Sequence, residues 1–356
     1  MSRVVLSGYY GFNNLGDDAV LAATTAALRA RRPDIEIAVL SREPATARSD
    51  GIERVPRAHP GALVRVLRAC DLFLSGGGSL FQDATSWRSP WYYLGVLALA
   101  QRLARPTAVY AQGIGPLRGR AVRAAARRVL NGVDLITLRD GDSLAVLDAL
   151  GVDRPPVVVA GDPALLLAPD PSPRVVAEQS QWGEGVSAGL ALRSWGSDAW
   201  CEAVIAAVRI VAERRRVRWI CLPMHRPRDL DLAVSVAARI GGGARVVREA
   251  LGPQEMLALT GSLGFVVGMR LHALIFAAMQ GVPCVALAYD PKISGFAREV
   301  GEPVLDLDGL GVEALVQAIE STLADLGARS ARVLAAVAPL RARAQLAPAL
   351  VTGLMP

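Results

Sequence analysis

Short apolar runs rich in β-branched residues alternate with segments of helical length along almost the whole chain. In the first half, helical patterns lie over Asp17–Arg31, Pro90–Leu103 and Gly119–Leu130. The apolar runs of that half predict strands over Val4–Ser7, Ile35–Leu40, Leu72–Ser75, Thr107–Ala111, Leu135–Leu138 and Val157–Ala160. Buried strands joined by helices are typical of a parallel sheet that helices cover on both faces. The sequence therefore predicts an α/β fold.

A cluster of prolines interrupts this alternation once, at Pro163, Pro169, Pro171 and Pro173. Beyond it the pattern starts again and predicts strands over Gly185–Leu192, Arg218–Leu222, Arg245–Val247, Gly264–Val267 and Cys284–Ala288. At about 150 residues per domain, a chain of 356 residues fits two domains. We predict two doubly wound, Rossmann-like domains over 1–170 and 171–330, with an interdomain cleft at the carboxyl ends of their strands. A C-terminal helix over 331–356 is predicted to pack back on the junction.

The longest apolar run, 271–289, is long enough to raise the question of a membrane span. Gln280, Gly281 and Pro283 interrupt it, so a helix followed by a buried strand fits better. The N-terminus enters the first strand directly and lacks the layout of a secretory signal. We expect a cytoplasmic protein with buried, reduced thiols, because no CxxC spacing joins the four cysteines, Cys70, Cys201, Cys221 and Cys284.

The net charge of +6 and the pI near 9.5 favour an acidic partner. No recognised nucleic-acid-binding motif and no basic stripe interleaved with aromatic residues is present in the sequence, so we expect no nucleic acid. A small anionic substrate fits the charge, and so does an acceptor carried on an anionic membrane. In the second case we expect at most peripheral contact with the inner face of the membrane.

Three loops of the first half are rich in glycine and follow predicted strands. The first, over 8–18, opens a helix, and its glycines let the backbone approach an anion at the helix terminus. Its spacing matches neither GxGxxG nor a Walker loop, and Asp17 and the two asparagines also fit a helix cap and a turn. The second, over 76–83, contains three consecutive glycines and then Gln82 and Asp83, at a distance suited to sugar hydroxyls. The third contains Gln112; both loops also fit a purely structural role.

Basic side chains follow three predicted strands of the second half. Arg193 ends one strand, and an ion pair with a carboxylate is its structural alternative. Arg270 and His272 lie at the positive end of a helix, where a cation is unfavourable unless an anion is bound. Lys292 is the only lysine of the chain, and either its compact charge is needed or it has survived by chance. Because no cluster has metal-ligand spacing and no nucleophile elbow is present, the sequence predicts a metal-free anion pocket.

Six motifs in a fixed order carry a resemblance to a known family. They are GYYGFNNLGDDA from Gly8, SGGGSLFQD from Ser75, YAQGIGP from Tyr110, DPALLL from Asp162, GMRLHAL from Gly268 and AYDPK from Ala288. As an ordered set spread over nearly the whole chain, they resemble the polysaccharide pyruvyl transferases of the CsaB type. Two small departures, Asp18 where glutamate is usual and Gly161 where alanine is usual, remove no carboxylate.

The resemblance implies a glycosyltransferase-B-like fold and an enzyme that uses phosphoenolpyruvate as co-substrate, with no other cofactor. The product implied is a 4,6-linked pyruvate ketal on a cell-wall polymer precursor, with a lipid-linked N-acetylmannosamine unit as the glycan acceptor. A carboxylate and a phosphate need about three cationic groups, and Arg193, Arg270 and Lys292 supply them. The resemblance implies Arg193, Arg270 and His272 in phosphoenolpyruvate binding, and we expect Leu271 and Lys292 to bind it as well.

The resemblance and this chemistry also assign roles in catalysis. His272 is expected to act as general acid, with Lys292 as the competing proton donor. Asp17 is expected to accept the proton of the attacking acceptor hydroxyl. The candidates for acceptor binding are Asn13, Asn14, Asp18, Gly76, Gly77, Gly78, Gln82 and Gln112.

Two other functions fit the same architecture. A glycosyltransferase that uses a nucleotide sugar would need a carboxylate for the ribose hydroxyls, and Glu249 and Glu255 are the candidates. A non-catalytic sugar- or phosphate-binding protein of two domains would bind its ligand without releasing phosphate from phosphoenolpyruvate.

Overall fold

The computed structural model describes residues 2–42, 51–84, 86–103 and 105–355. Met1 and Pro356, at the ends of the predicted segments, lie outside the described residues. The chain folds into two compact units. Unit 1 comprises Met1–Phe12, Asp17–Leu167 and Arg341–Pro356, whereas unit 2 comprises Asn13–Gly16 and Ala168–Leu340.

The described strands of unit 1 form one parallel sheet. The sheet has the order β3-β2-β1-β4-β5-β6-β7. Its central strand β4 is buried along its whole length, as expected of a strand covered on both faces. The strands are β1 (Arg3–Tyr10), β2 (Glu36–Ser41), β3 (Ile52–Pro56), β4 (Leu72–Gly76), β5 (Thr107–Gln112), β6 (Leu135–Leu138) and β7 (Val157–Val159).

The described strands of unit 2 form a second parallel sheet. Its order is β10-β9-β8-β11-β12-β13. Because all its strands are parallel, their carboxyl ends meet at one edge of the sheet. The strands are β8 (Ser187–Ala191), β9 (Arg218–Cys221), β10 (Arg245–Val246), β11 (Phe265–Gly268), β12 (Cys284–Ala288) and β13 (Val304–Asp306).

Helices connect the strands and bury their apolar sides against the two sheets. A short 3-10 helix at Pro163–Leu166 precedes the end of the long segment of unit 1. The α-helices are α1 (Leu15–Arg31), α2 (Pro60–Arg68), α3 (Arg88–Arg102), α4 (Arg120–Leu130), α5 (Gly141–Leu150), α6 (Pro173–Gln179), α7 (Ala199–Arg215), α8 (Arg228–Ile240), α9 (Pro253–Thr260), α10 (Leu271–Met279), α11 (Pro291–Glu299), α12 (Val312–Ala324), α13 (Leu326–Ala344) and α14 (Leu346–Thr352).

The sheet of unit 1 has a separate core on each face. One core joins α2, α3, α4 and α5 to the strands, through residues such as Leu67, Leu97 and Ala126. The core on the other face contains Leu21 and Leu28 of α1, together with Ala347 and Val351 of α14. Therefore α2, α3 and α4 all lie on the same face of this sheet, with their outward sides away from it.

The predicted fold class is confirmed. The eleven predicted strands are present with small shifts at their ends, and two further strands, β3 and β13, were not predicted. The run 271–289 divides into helix α10 and strand β12, as predicted, and no helix of the described residues is long and apolar enough to cross a membrane. All four cysteines are buried and free, and burial raises the pKa of the Cys221 thiol to about 12.

Candidate functional site

The predicted cationic side chains of unit 2 leave adjacent strands at the same edge of the sheet. In the register of β8 with β11, Ala191 lies beside Gly268. Arg193 and Arg270 each follow two residues later. In the register of β11 with β12, Gly268 lies beside Ala286, and the segment that contains Lys292 follows β12. Neighbouring parallel strands therefore present all three cationic residues at one edge.

Tyr289 links two of these cations. Its hydroxyl accepts a hydrogen bond of 2.7 Å from Arg193 Nη1. The Arg193 guanidinium carbon lies 4.8 Å from the centre of the Tyr289 ring, and Lys292 Nζ lies 6.0 Å from it. Trp195 packs on the same ring, with 4.5 Å between the ring centres. We call Arg193, Trp195, Tyr289 and Lys292 the Tyr289 group.

Arg193 keeps one N–H available within this group. Its Nε is buried and has no hydrogen-bond partner among the described residues. A buried donor without an acceptor costs about 1–3 kcal/mol, and an anionic oxygen bound there would remove that cost. The structural alternative for Arg193, an ion pair with a carboxylate, is not formed among the described residues, because the hydrogen-bond partner recorded for it is the neutral Tyr289 hydroxyl.

Lys292 is held near a carboxylate at the start of α11. Asp290 caps this helix by accepting a 3.1 Å hydrogen bond from the Lys292 backbone N–H. The other Asp290 oxygen lies 3.2 Å from Lys292 Nζ, and both side chains are partly exposed, at 31% and 25%. An ion pair with this exposure contributes little to stability, typically about 0–1 kcal/mol. A stronger anionic ligand can therefore replace Asp290 at Lys292 at low cost.

Arg270 has a carboxylate partner of its own, which the sequence analysis did not identify. Its Nε donates to Asp229 Oδ2 at 2.8 Å, and its Nη2 donates to Asp229 Oδ1. The Asp229 side chain is only 2% exposed. Arg270 precedes α10 as its N-cap residue, so the anion expected beside this cation is supplied by the protein itself. The two-fold bond fixes the guanidinium plane and leaves Nη1 for other contacts.

Asp229 is itself well placed for a buried charge. It lies in the first turn of α8, where the helix dipole favours an anion. The backbone N–H of His225 donates to Asp229 Oδ2 at 3.0 Å, and the Asp229 N–H donates to the His225 carbonyl at 2.7 Å. The acidic first turn after β9 was the sequence signal for this residue. Its pairing with Arg270, 41 residues further along the chain, could not be predicted from that signal.

His272 packs against a glycine of the first glycine-rich loop. A Cβ atom on Gly16 would lie 2.1 Å from Nδ1 of the His272 ring. Only glycine leaves room for the imidazole there, which explains this glycine within the loop 8–18. Leu271 is the first residue of α10, and its side chain is 7% exposed. Because this side chain is apolar and buried, only the backbone amide of Leu271 could bind an anion.

The segment Asn13–Gly16 belongs to unit 2 because it pairs with the loop after β9. Asn14 forms an antiparallel bridge with His225, and the Leu15 N–H donates to the Met224 carbonyl at 2.8 Å. Asn13 adopts a left-handed conformation with φ of 56°, and its carbonyl accepts from Arg226. These backbone roles are structural, and the predicted role of Asn13 and Asn14 in acceptor binding stays a prediction.

The candidates in unit 1 lie after β1, β4 and β5. A Cβ on Gly78 would lie 2.8 Å from Asp17 Oδ1, so this carboxylate of α1 is next to the third glycine. The Gly78 carbonyl accepts from the Gly113 N–H at 2.9 Å, which joins the second and third glycine-rich loops. Gln112 is fully buried and donates to the Ser75 carbonyl at 2.8 Å, while its Oε1 has no partner among the described residues.

Tyr10 is a further residue that the sequence analysis missed. Its buried hydroxyl donates to the Gly76 carbonyl at 2.9 Å. Burial, and then the nearby Asp17 carboxylate, raise the pKa of Tyr10 well above its ordinary value, so the phenol stays a neutral donor. A Cβ on Gly77 would meet Val20 at 2.3 Å. The three glycines therefore have a structural reason, because added Cβ atoms on Gly76, Gly77 and Gly78 would crowd Tyr110, Val20 and Asp17 respectively.

The remaining candidates lie near the same loops. Gln82 and Asp18 are both partly buried. Their predicted role in acceptor binding stays a prediction. Asp83 has a structural task, because its Oδ2 accepts from the backbone N–H groups of Arg118 and Gly119 at 2.7 and 3.1 Å. These bonds hold the turn before α4.

Both carboxylates suggested for a ribose are engaged elsewhere in unit 2. Arg174 contacts Glu249 at 2.6 Å and Glu255 at 3.0 Å. Glu255 also accepts from the Ser172 hydroxyl and from the Gly252 N–H, both at 2.7 Å, at the start of α9. Burial acts against the charge of Glu255, but these hydrogen bonds and Arg174 lower its pKa overall. The geometry therefore gives both residues a structural task.

Comparisons with known proteins identify a family and a relative that match this chain. A family model described as polysaccharide pyruvyl transferase matches residues 14–291. The match includes Arg193, Arg270 and His272 and ends one residue before Lys292. The amylovoran biosynthesis protein AmsJ of Erwinia amylovora is 21% identical over 369 residues, which cover 86% of this chain and 88% of AmsJ.

Solved structures of similar fold have two Rossmann-like domains. The UDP-GlcNAc 2-epimerase of Methanocaldococcus jannaschii superposes with a TM-score of 0.65 at 13% identity, over 90% of this chain and 92% of that one. The sucrose-phosphate synthase of Thermosynechococcus elongatus gives a TM-score of 0.64 at 14% identity, over 99% and 98% of the two chains. At such identities the likeness concerns the fold, which is of the glycosyltransferase-B type.

Proposed function

The chain belongs to the polysaccharide pyruvyl transferase family, and we propose on that premise that it uses phosphoenolpyruvate as its pyruvyl donor. The acceptor in this proposal is a sugar of a cell-wall polysaccharide precursor. Two hydroxyls of the sugar form a ketal with the pyruvyl carbon, and inorganic phosphate is released. The observation that carries the proposal is the cationic edge of the unit 2 sheet, where Arg193 and Arg270 lie within the matched region and Lys292 lies one residue beyond it.

The charges at this edge support an anionic donor substrate. Arg193, Arg270 and Lys292 carry three positive charges, and Asp229 and Asp290 carry two negative ones. Asp229 stays with Arg270 because their side chains are only 2% and 14% exposed, whereas the more exposed pair of Asp290 with Lys292 exchanges readily. Arg193 Nε and Lys292 Nζ are therefore the groups we assign to the phosphate and carboxylate oxygens, and Arg270 contributes Nη1.

The reaction needs one proton transfer to carbon and two attacks by hydroxyl groups. Protonation of the methylene carbon makes the adjacent carbon electrophilic, and the first hydroxyl adds there and loses its proton. The second hydroxyl then displaces phosphate from the same carbon and gives its proton to the departing phosphate, which leaves a methyl ketal carboxylate. We assign the proton donor to His272, with Lys292 as the competing donor, and the base to Asp17. General acid–base catalysis of this kind typically contributes roughly 10²- to 10⁴-fold.

The resemblance to the CsaB type refines the acceptor in this proposal. It favours a 4,6-linked ketal on an N-acetylmannosamine unit that a lipid carries. We propose the loops of unit 1 around Asp17, Gly78 and Gln112 for acceptor binding, because the buried Gln112 Oε1 and the Asp17 carboxylate are acceptors suited to sugar hydroxyls.

A nucleotide-sugar glycosyltransferase is the alternative that the fold alone would allow. The engagement of Glu249 and Glu255 with Arg174 weighs against it, since these two carboxylates were the candidates for a ribose. A thermal-shift panel separates the two functions. We expect stabilisation by phosphoenolpyruvate and none by UDP- or GDP-sugars.

The decisive experiment follows product formation directly. The protein is incubated with phosphoenolpyruvate and an N-acetylmannosaminide, and mass spectrometry and a phosphate assay detect the ketal and the released phosphate. His272→Gln is the matched variant, expected to lower turnover more than phosphoenolpyruvate affinity. Ligand binding without phosphate release would instead favour the non-catalytic binding protein. Sugar transfer from a nucleotide sugar would overturn the proposal.

A further inference from the structure

Positive charge is concentrated in one stretch of the sequence. Residues 54–133 contain twelve arginines against two aspartates, Asp71 and Asp83, which is a net charge of +10. Because the whole chain carries +6, the remaining residues together carry −4. The basic character of this protein is therefore a property of a single region of unit 1.

The structure places this charge on one outer surface. Helices α2, α3 and α4 cover the same face of the unit 1 sheet and share one core, and none of them contains an acidic residue. None of their arginines takes part in the salt bridges of the described residues. The exposed arginines of these helices are Arg65, Arg68, Arg88, Arg102, Arg120, Arg127 and Arg128.

Two tryptophans stand exposed within the same surface. Trp87 is 67% exposed and Trp91 is 43% exposed. The other large hydrophobic side chains that are exposed in the described part of the chain are leucines and a valine. Trp87 has helical backbone angles, so a spacing of four residues puts both indoles on one side of α3. The Arg88 guanidinium lies 5.1 Å from the Trp87 ring centre. The outward face of α3 continues through Gly95 to Arg102.

Arg57 packs against aromatic rings next to these tryptophans. The Arg57 guanidinium carbon lies 4.1 Å from the ring centre of Tyr92, the residue after Trp91, and 5.2 Å from that of Phe12. The Arg42 guanidinium carbon lies 5.3 Å from the centre of the same Phe12 ring. Stacking on aromatic rings holds guanidinium groups in place without a carboxylate. We call the outward sides of α2, α3 and α4, with Trp87, Trp91 and Arg57, the α3 surface.

We propose that the α3 surface docks on an anionic lipid bilayer. Tryptophan side chains favour the interface between headgroups and hydrocarbon because they combine an apolar ring with an N–H donor. Unpaired arginines around them are complementary to lipid phosphates, and each one near an anionic membrane strengthens binding by about fivefold. The inference deepens the proposed function, since an acceptor on a lipid carrier would lie in the membrane to which this surface binds.

Co-sedimentation with vesicles tests the charge requirement. Wild-type protein is expected to sediment with vesicles of phosphatidylcholine and phosphatidylglycerol, and to stay in solution with phosphatidylcholine alone. The triple variant Arg88→Gln, Arg102→Gln, Arg120→Gln should weaken binding by roughly two orders of magnitude, at about fivefold per arginine. The control removes three exposed arginines elsewhere, by Arg209→Gln, Arg298→Gln and Arg341→Gln. Equal weakening in both triple variants would overturn the proposal.

Quenching by brominated lipid tests whether the tryptophans enter the bilayer. Wild-type fluorescence should be quenched by vesicles that contain brominated acyl chains, and the variant Trp87→Phe, Trp91→Phe should lose most of this quenching. The other four tryptophans of the chain belong to unit 2 and serve as the internal reference. Unchanged quenching in this variant would show that the two indoles do not insert.

The outcomes keep this inference apart from the proposed enzymatic function. Turnover of a soluble N-acetylmannosaminide should be the same in the wild type and in both arginine variants. Normal turnover without vesicle binding would overturn only the docking surface. Selective vesicle binding without any pyruvyl transfer would overturn only the proposed function. Binding to duplex DNA in the absence of vesicle binding would assign the α3 surface to nucleic acid instead.

Discussion

The position of Arg193 depends on the hydroxyl group of Tyr289. Tyr289→Phe removes the acceptor of the 2.7 Å bond from Arg193 Nη1 but keeps the ring that stacks on the guanidinium. Since one such hydrogen bond contributes about 0.5–1.5 kcal/mol, we expect phosphoenolpyruvate to bind roughly two- to tenfold more weakly by calorimetry. Tyr92→Phe removes a hydroxyl that bonds the Arg57 carbonyl in unit 1 and should leave this affinity unchanged. Equal affinities in all three proteins would contradict the role of Tyr289.

Because Arg270 forms an ion pair with Asp229, replacing Arg270 alone also affects the stability of the protein. Arg270→Gln leaves Asp229, which is 2% exposed, as a buried charge without its partner, and breaking such a pair typically costs about 3–5 kcal/mol. The double variant Arg270→Gln, Asp229→Asn removes both charges and should recover most of that stability in denaturant unfolding. Phosphoenolpyruvate affinity should stay low in both variants, because both lack the cation. Full affinity in the double variant would make Arg270 a purely structural residue.

At the scale of elements, the start of α1 is fitted to His272 through Gly16. In Gly16→Ala the new Cβ would lie 2.1 Å from His272 Nδ1, so the ring must move. We expect a loss of stability of about 1–3 kcal/mol, as for other overpacked sites, together with a marked loss of turnover. Gly95→Ala is the matched control, because nothing lies within 4 Å of its added Cβ. That substitution in exposed helix should stabilise the protein by about 0.4–1 kcal/mol and leave turnover unchanged.

The N-terminus of α5 depends on a carboxylate and therefore on pH. Burial alone would raise the pKa of Asp140, but the Arg139 guanidinium at 2.9 Å and hydrogen bonds from Ser143 outweigh it and lower the pKa. The stabilisation by a depressed carboxyl is present above its unfolded pKa and is lost as the pH falls through the folded pKa.

We therefore expect Asp140→Asn to cost about 1–2 kcal/mol near neutral pH, and the difference from wild type to shrink on acidification. Urea unfolding at a series of pH values measures this. Asp142→Asn replaces an exposed carboxylate of the same turn. Its free energy of unfolding should differ from that of the wild type by less than that of Asp140→Asn does. A constant gap between wild type and Asp140→Asn across the acid range would contradict the assignment.

Helices and strands with a clear hydrophobic pattern were predictable from the sequence, whereas side-chain contacts between distant residues were not. Buried strands such as β4 and β12 are continuous apolar runs, but β3 has the sequence IERVP and β13 has only three residues, so neither has a clear period. The site shows the same division. Arg193, Arg270 and Lys292 follow readable strands, yet Asp229 and Tyr289 gain their roles from contacts across 41 and 96 residues of sequence. Local patterns contain no information about such partners.

For the whole molecule, the two units do not follow the chain as two consecutive halves. Residues 13–16 lie within the N-terminal half but belong to unit 2, and residues 341–356 return to unit 1 at the end of the chain. The long segments of the two units change between Leu167 and Ala168, and the predicted domain bounds stay a prediction. The two exchanged segments had no sequence signal, because each is short and its grouping depends on distant packing. Packing of the C-terminal segment on the junction stays a prediction.

The return of the chain makes the stability of unit 1 depend on the last residues of the protein. Val351 of α14 is fully buried in a core with residues of β1, β4 and β5, whereas the adjacent Leu350 is 39% exposed. Val351→Ala should therefore lower the free energy of unfolding of unit 1 by about 2 kcal/mol, and Leu350→Ala should change it little. Hydrogen exchange followed by mass spectrometry resolves the two units, and peptides from β1 and β5 should exchange faster in Val351→Ala. Peptides from β8 and β11 of unit 2 should keep their protection, and equal loss of protection in both units would show that they unfold as one.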